Sequence, residues 1–255
     1  MTIRQHLVAT LGLFWIGGCA VALILQTRVL SHLPIAPGWL DAFVLGSTVF
    51  GYHFAHRHRA YQTAAWLLGG LSGLCFFWLD RVTQFSALGP LLLWGAYYGL
   101  RWPGRAGLRR LPMAKPVVIA LTWAWVTVWL PAQQFLWPFF VARAAFIFAL
   151  ALGYDLVDLA YDQRRQFVTL VNQIGPRHTY LLIINALILA AGSISLAFAQ
   201  NQLPLTVAAA IWATYLLAAL TLLRIVHSTW PVVWQKADID ALMVLQALVV
   251  WLVAR

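Results

Sequence analysis

Three aspartates within eight positions, Asp155, Asp158 and Asp162, are the residues of this 255-residue chain best placed to do chemistry. The chain has only seven acidic residues, all of them Asp, so three in one short run is a concentration found nowhere else in it. Spacing of three and then four residues puts the three carboxylates on one face of a helix, spread over roughly 10 Å of its axis. Hard oxygen ligands arranged in this way suit Mg²⁺, which keeps several waters and usually bridges carboxylates to substrate phosphates. The alternative use of the same acids is an intramembrane ion-pair network with Arg143, twelve residues upstream, or with arginines of neighbouring helices.

The elements that must position them are membrane helices. With 62% hydrophobic and 9% charged residues the chain lies outside the soluble globular class. Apolar segments of membrane-crossing length recur from end to end, and the alternating pattern of a porin-like barrel is absent. Nine segments are expected to span: 7–26, 39–55, 62–79, 86–100, 116–131, 138–160, 179–199, 204–223 and 238–254. The first leads straight into further spans and is read as a helix of the bundle, not a cleavable signal. Cys19 and Cys75 lie inside apolar segments without flanking ligands, as packing residues. One polytopic domain over residues 1–255 is the economical organisation.

Charge distribution sets the expected orientation. With a cytoplasmic N-terminus, the N-terminus and the loops starting near residues 56, 101, 161 and 224 hold thirteen of the seventeen Lys and Arg, leaving Arg28, Arg81, Arg143 and Arg255 elsewhere. Such an excess is what the positive-inside rule describes. A net charge of +10 therefore fits topology control and an anionic leaflet, and not a nucleic-acid footprint. The acidic stripe, at the end of the sixth span, then faces the cytoplasm, and the expected location is a bacterial inner (plasma) membrane.

Basic groups near that face are candidate anion ligands. His53 and His56 share a helical face, and a protonated His53 with Arg57 can give charge-assisted hydrogen bonds to phosphate oxygens. Arg109, Arg110 and Lys115 are the sharpest candidates in the loop before the fifth span, with Arg164 and Arg165 just beyond the aspartates. Each group has a plainer use as a topology-setting cap. Asp238 and Asp240, at the start of the ninth segment, read as complements to a helix N-terminus.

Asp155-x-x-Asp158-x-x-x-Asp162, followed by Arg164-Arg165, Thr169-Leu170 and Gly175, resembles the second Asp-rich motif of the UbiA superfamily of intramembrane prenyltransferases. The stretch Leu108-Arg109-Arg110-Leu111-Pro112-Met113-Ala114-Lys115 is similar to the loop before the fifth span in many members. The resemblance implies a nine-helix UbiA-like bundle in which Asp155, Asp158 and Asp162 hold Mg²⁺ against an isoprenyl diphosphate, and a lipophilic acceptor receives the prenyl group. It implies an enzyme, a transferase of alkyl groups other than methyl. Where the family places an Asn/Asp-rich first motif, at the end of span two, this chain reads Gly51-Tyr52-His53-Phe54-Ala55-His56-Arg57-His58-Arg59. Two further readings follow: a relative that binds a prenyl lipid or supports another membrane enzyme without catalysis, and an ion-coupled transporter using the intramembrane acids as a relay.

Overall fold

The computed structural model describes residues 3–56, 62–98, 111–164, 169–226 and 228–255. Among them the chain forms α-helices and no strands: α1 (Ile3–Leu30), α2 (Trp39–His56), α3 (Gln62–Phe77), α4 (Arg81–Tyr98), α5 (Ala114–Ala132), α6 (Trp137–Val157), the short α7 (Leu159–Arg164), α8 (Leu170–Ala199), α9 (Leu205–Val226) and α10 (Val232–Val253). By length and mean hydropathy four of the described helices can cross a membrane, α5, α6, α8 and α9, the last over Leu205–Ile225, and shorter apolar helical stretches cover Phe14–Leu30 and Gln62–Phe77. The protein is an all-α integral membrane protein.

Helix α6 lies at the centre, packed against α5, α8, α9 and α10. Apart from Arg143 and Asp155 its sequence is apolar on every side, and Phe139, Ala142, Phe146, Ile147, Ala149, Leu150 and Leu152 are all buried, as expected of a helix surrounded by others. Helices α3 and α4 are the opposite case. Leu67, Leu74, Phe77, Phe85 and Leu92 on them are each more than 60% exposed, an apolar surface that only lipid or a partner would cover favourably.

Helix α4 contains Pro90, which has no N–H to give the Ser86 carbonyl four residues back. The Trp125 indole N–H of α5 donates to that carbonyl instead, at 3.0 Å, and the Trp129 indole N–H reaches the Ser86 hydroxyl at 3.4 Å. Gly89 makes this possible, because a Cβ there would stand 2.7 Å from the Trp125 ring. The two indoles project from a π-helical turn, Trp125–Trp129, inside α5. The same turn presents the Thr127 carbonyl to the Thr27 hydroxyl of α1 at 2.6 Å.

Helix boundaries depart from the sequence expectation where polar residues lie in the first turns of a helix. α4 starts at Arg81, not near 86; α8 at Leu170, not 179; α10 at Val232, not 238. In each case polar or helix-breaking residues interrupt the apolar run before the expected start, Gln84 in α4, Asn172 to His178 in α8 and Gln235-Lys236 in α10, yet the backbone is already helical ahead of them. Asp238 and Asp240 therefore lie beyond the first turn of α10 and do not cap it; Asp238 is exposed and Asp240 is buried.

Candidate functional site

The acidic stripe sits where α6 ends. Asp155 is in the last turn of α6 and is buried, Asp158 is the residue after the helix, and Asp162 is buried on α7. The helical path is not lost between α6 and α7. The Asp158 N–H donates to the Tyr154 carbonyl at 3.0 Å and the Asp162 N–H to the Asp158 carbonyl at 2.9 Å. Four-residue hydrogen bonds across the junction keep the helical spacing that places the three carboxylates together.

Two lysines from distant helices meet them. Lys115, in the first turn of α5, donates to Asp155 Oδ1 at 2.5 Å. Lys236 of α10 brings its Nζ to 2.8 Å from both oxygens of Asp158. Lys115 also interacts electrostatically with Asp162, and Lys236 with Asp155 and Asp162, so the five groups form one cluster. Burial raises the Asp162 carboxyl above the ordinary carboxylate range; Lys115 opposes the rise, and Asp155 and Asp158 add to it. Arg143 takes no part in this network, because the ion pairs of Asp155 and Asp158 go to Lys115 and Lys236.

Tyr154 fixes α10 beside the cluster. Its hydroxyl donates to the Lys236 carbonyl at 3.3 Å, and it lies against the Asp240 carboxylate, while the Lys236 ammonium stands 5.9 Å from the Tyr154 ring centre. Beyond α7, the Thr169 hydroxyl accepts from the Asn172 N–H at 3.3 Å and caps α8. Gly175 then takes φ +74°, ψ 166°, a conformation suited to glycine, and with Pro176 it kinks α8 just after its first turn. The Thr-Leu and Gly of the sequence motif thus shape the chain that leaves the acidic stripe.

Of the other sequence candidates, His53 is buried on α2, which packs against α1 and α3. Arg164 is exposed at the end of α7. Arg57, Arg109, Arg110 and Arg165 lie outside the described residues. Sequence reasoning missed Lys236, Asp240 and Tyr154 as members of the site. The available signal was Lys236 and Asp240, four apart and so on one helical face.

The donor set can be tested for Mg²⁺ directly. Among the described residues no three His, Cys, Asp or Glu side chains form a ready ligand shell. Three carboxylates nevertheless face two ammonium groups, and Asp162 has no ion pair of its own among the described residues. The negative excess and the hard oxygens fit a Mg²⁺ held by one or two carboxylates and completed by phosphate oxygens and water.

No protein-family model matches the sequence, and no curated protein does. Solved structures do share the fold. A UbiA homologue from Aeropyrum pernix K1, without ligand, superimposes with a TM-score of 0.62 at 13% identity over 99% of this chain and 97% of its own. A UbiA homologue from Archaeoglobus fulgidus, bound to GPP and Mg²⁺, gives 0.62 at 10% identity over 97% and 99%. A digeranylgeranylglyceryl phosphate synthase gives 0.61 at 11% identity over 98% and 99%. At these identities the likeness establishes architecture: the chain has the all-helical membrane fold of the UbiA homologues.

Proposed function

We propose that this protein is a UbiA-type membrane prenyltransferase, transferring a polyprenyl group from an isoprenyl diphosphate to a lipophilic acceptor. The observation that carries the reading is the gathering of Asp155, Asp158, Asp162, Lys115 and Lys236 from three separated parts of the chain at one end of a UbiA-type fold. In this reading residues 1–255 form a single polytopic domain crossing a bacterial inner membrane nine times. The N-terminus and the cluster face the cytoplasm, in accord with the basic loops.

The chemistry follows from charge. The bond between the terminal prenyl carbon and the diphosphate oxygen breaks, and its electron pair leaves with the diphosphate. The acceptor forms a new bond to that carbon and loses a proton. Lys115 and Lys236, partly exposed, turn from the aspartates to the diphosphate oxygens and stabilise the charge that develops there. His53, Arg57, Arg109, Arg110, Arg164 and Arg165 supplement them. Asp155, Asp158 and Asp162 would hold Mg²⁺, which supplies further neutralisation of the leaving group. The apolar bundle keeps water from the electron-poor prenyl carbon.

The test is pyrophosphate release by the purified full chain in nanodiscs, with Mg²⁺ and a panel of prenyl diphosphates. Release is expected, and Asp158→Asn is expected to lower it at least tenfold. No release from any donor, together with no effect of Asp158→Asn on donor binding, overturns the proposal. A second reading, a prenyl-lipid binder without turnover, is favoured by one observation: the two lysines already neutralise two of the three carboxylates. Tight donor binding with no pyrophosphate release would establish it.

A further inference from the structure

We propose that a small cavity around Arg143, remote from the carboxylate cluster, binds a single halide ion. Arg143 is on the N-terminal half of α6, twelve residues and so roughly 18 Å of helix from Asp155. It is only 5% exposed. Its Nη2 donates to Gln26 Oε1 at 2.5 Å, but its Nη1, also buried, has no hydrogen-bond partner. All seven carboxylate side chains of the protein lie among the described residues, and none pairs with Arg143; the ion pairs among the described residues are Arg28–Asp41, Lys115–Asp155 and Lys236–Asp158. A buried guanidinium without a counter-charge is an arrangement that proteins avoid, because burying an unpaired ion is costly.

The cavity beside it supplies the place for one. About 10 Å³ is open between Gln26 and Thr27 of α1, Arg143, Ile211 and Tyr215 of α9, and Gln246 of α10. That is room for about one water-sized particle. A polyatomic anion is too large, and a water would meet the free N–H while leaving the positive charge uncompensated. A monatomic anion meets both needs, with the lining side chains giving way by the small margin by which a halide exceeds a water in size. The amide of Gln246, which donates to Thr214 Oγ1 at 3.2 Å, and the Tyr215 hydroxyl are neutral groups able to turn toward it. The bound ion would join α1, α6, α9 and α10 at the end of the bundle opposite the carboxylates.

Thermal unfolding of the detergent-purified full chain tests this in sodium chloride and in sodium gluconate at equal ionic strength. Chloride is expected to raise Tm by about 3 °C or more, saturably, and Arg143→Met to remove the difference. Equal Tm values in the two salts overturn the proposal, as does a chloride effect that survives in Arg143→Met. If the variant does not fold, crystals of the unaltered protein grown in bromide decide the matter. An anomalous peak within hydrogen-bonding distance of Arg143 Nη1 supports the site, and an ordered water with no anomalous signal there overturns it.

Discussion

Helix α6 carries buried charge at both ends, Arg143 near its start and Asp155 near its finish, and the surrounding bundle meets the two differently. Asp155 is met by Lys115 across the α5 interface, with Asp158 and Lys236 beside it. Arg143 meets no carboxylate, and among the described residues its hydrogen bond goes to the neutral side-chain oxygen of Gln26. Charges compensated from within the chain form a cluster that is complete as it stands, and under the proposed function its lysines exchange partners when a diphosphate arrives. A charge left uncompensated marks a place where something from outside the chain completes the structure. One helix thus carries two kinds of site, told apart by their counter-charges.

Removing one member of each pair breaks or sharpens this contrast. The largest effect is expected from Lys115→Met, which leaves the fully buried Asp155 without its cation. A loss of about 2–3 kcal/mol is expected, below the range for fully buried pairs because Lys115 is partly exposed. Unfolding followed in a mixed detergent series measures it, and Lys115→Met combined with Asp155→Leu should recover most of the loss. Recovery by the double variant confirms that the pair is a compensated charge; an additive loss would refute it. Lys236→Ala is expected to cost about 1 kcal/mol or less, since both Lys236 and Asp158 are about a third exposed. Its larger consequence is weaker binding of a prenyl diphosphate, read by isothermal titration.

The smallest effect belongs to an acid outside the bundle, Asp80, between α3 and α4. Burial works against its ionisation, but hydrogen bonds from the Thr83 hydroxyl and N–H and from the Gln133 amide hold its carboxyl below the ordinary value. A depressed native value means that its stabilisation is present above the unfolded value of about 3.9 and is lost as pH falls through the native one. The Tm difference between the protein and its Asp80→Asn variant should therefore be present at pH 7 and vanish under strongly acid conditions. A difference that grows on acidification would contradict this.

Much of the carboxylate site was legible in the sequence because helical periodicity is a local property. Asp155, Asp158 and Asp162 fall together for the reason their spacing suggests, and Thr169 and Gly175 take the cap and kink that their chemistry allows. Lys236 and Asp240 were not legible as members. Treating Gln235-Lys236 as the end of a loop begins the last helix at 238, and the first turns of α10, which carry Lys236, are then missed. The Arg143–Asp155 pairing failed on length: twelve residues of helix separate the two by more than three turns, beyond the reach of either side chain. Which lysine meets which aspartate depends on packing between helices, and no spacing within one helix encodes it. The π-helical turn in α5 left no periodic signal either.

The bond from Trp125 to the Ser86 carbonyl ties the integrity of α4 to its neighbour. Without α5 beside it, Pro90 leaves that carbonyl without its helical donor, and an apolar surrounding offers no substitute. Helix α4 on its own therefore carries a carbonyl without a helical donor. The backbone of α4 is thus completed by a side chain of α5, and the two helices depend on one another at this point.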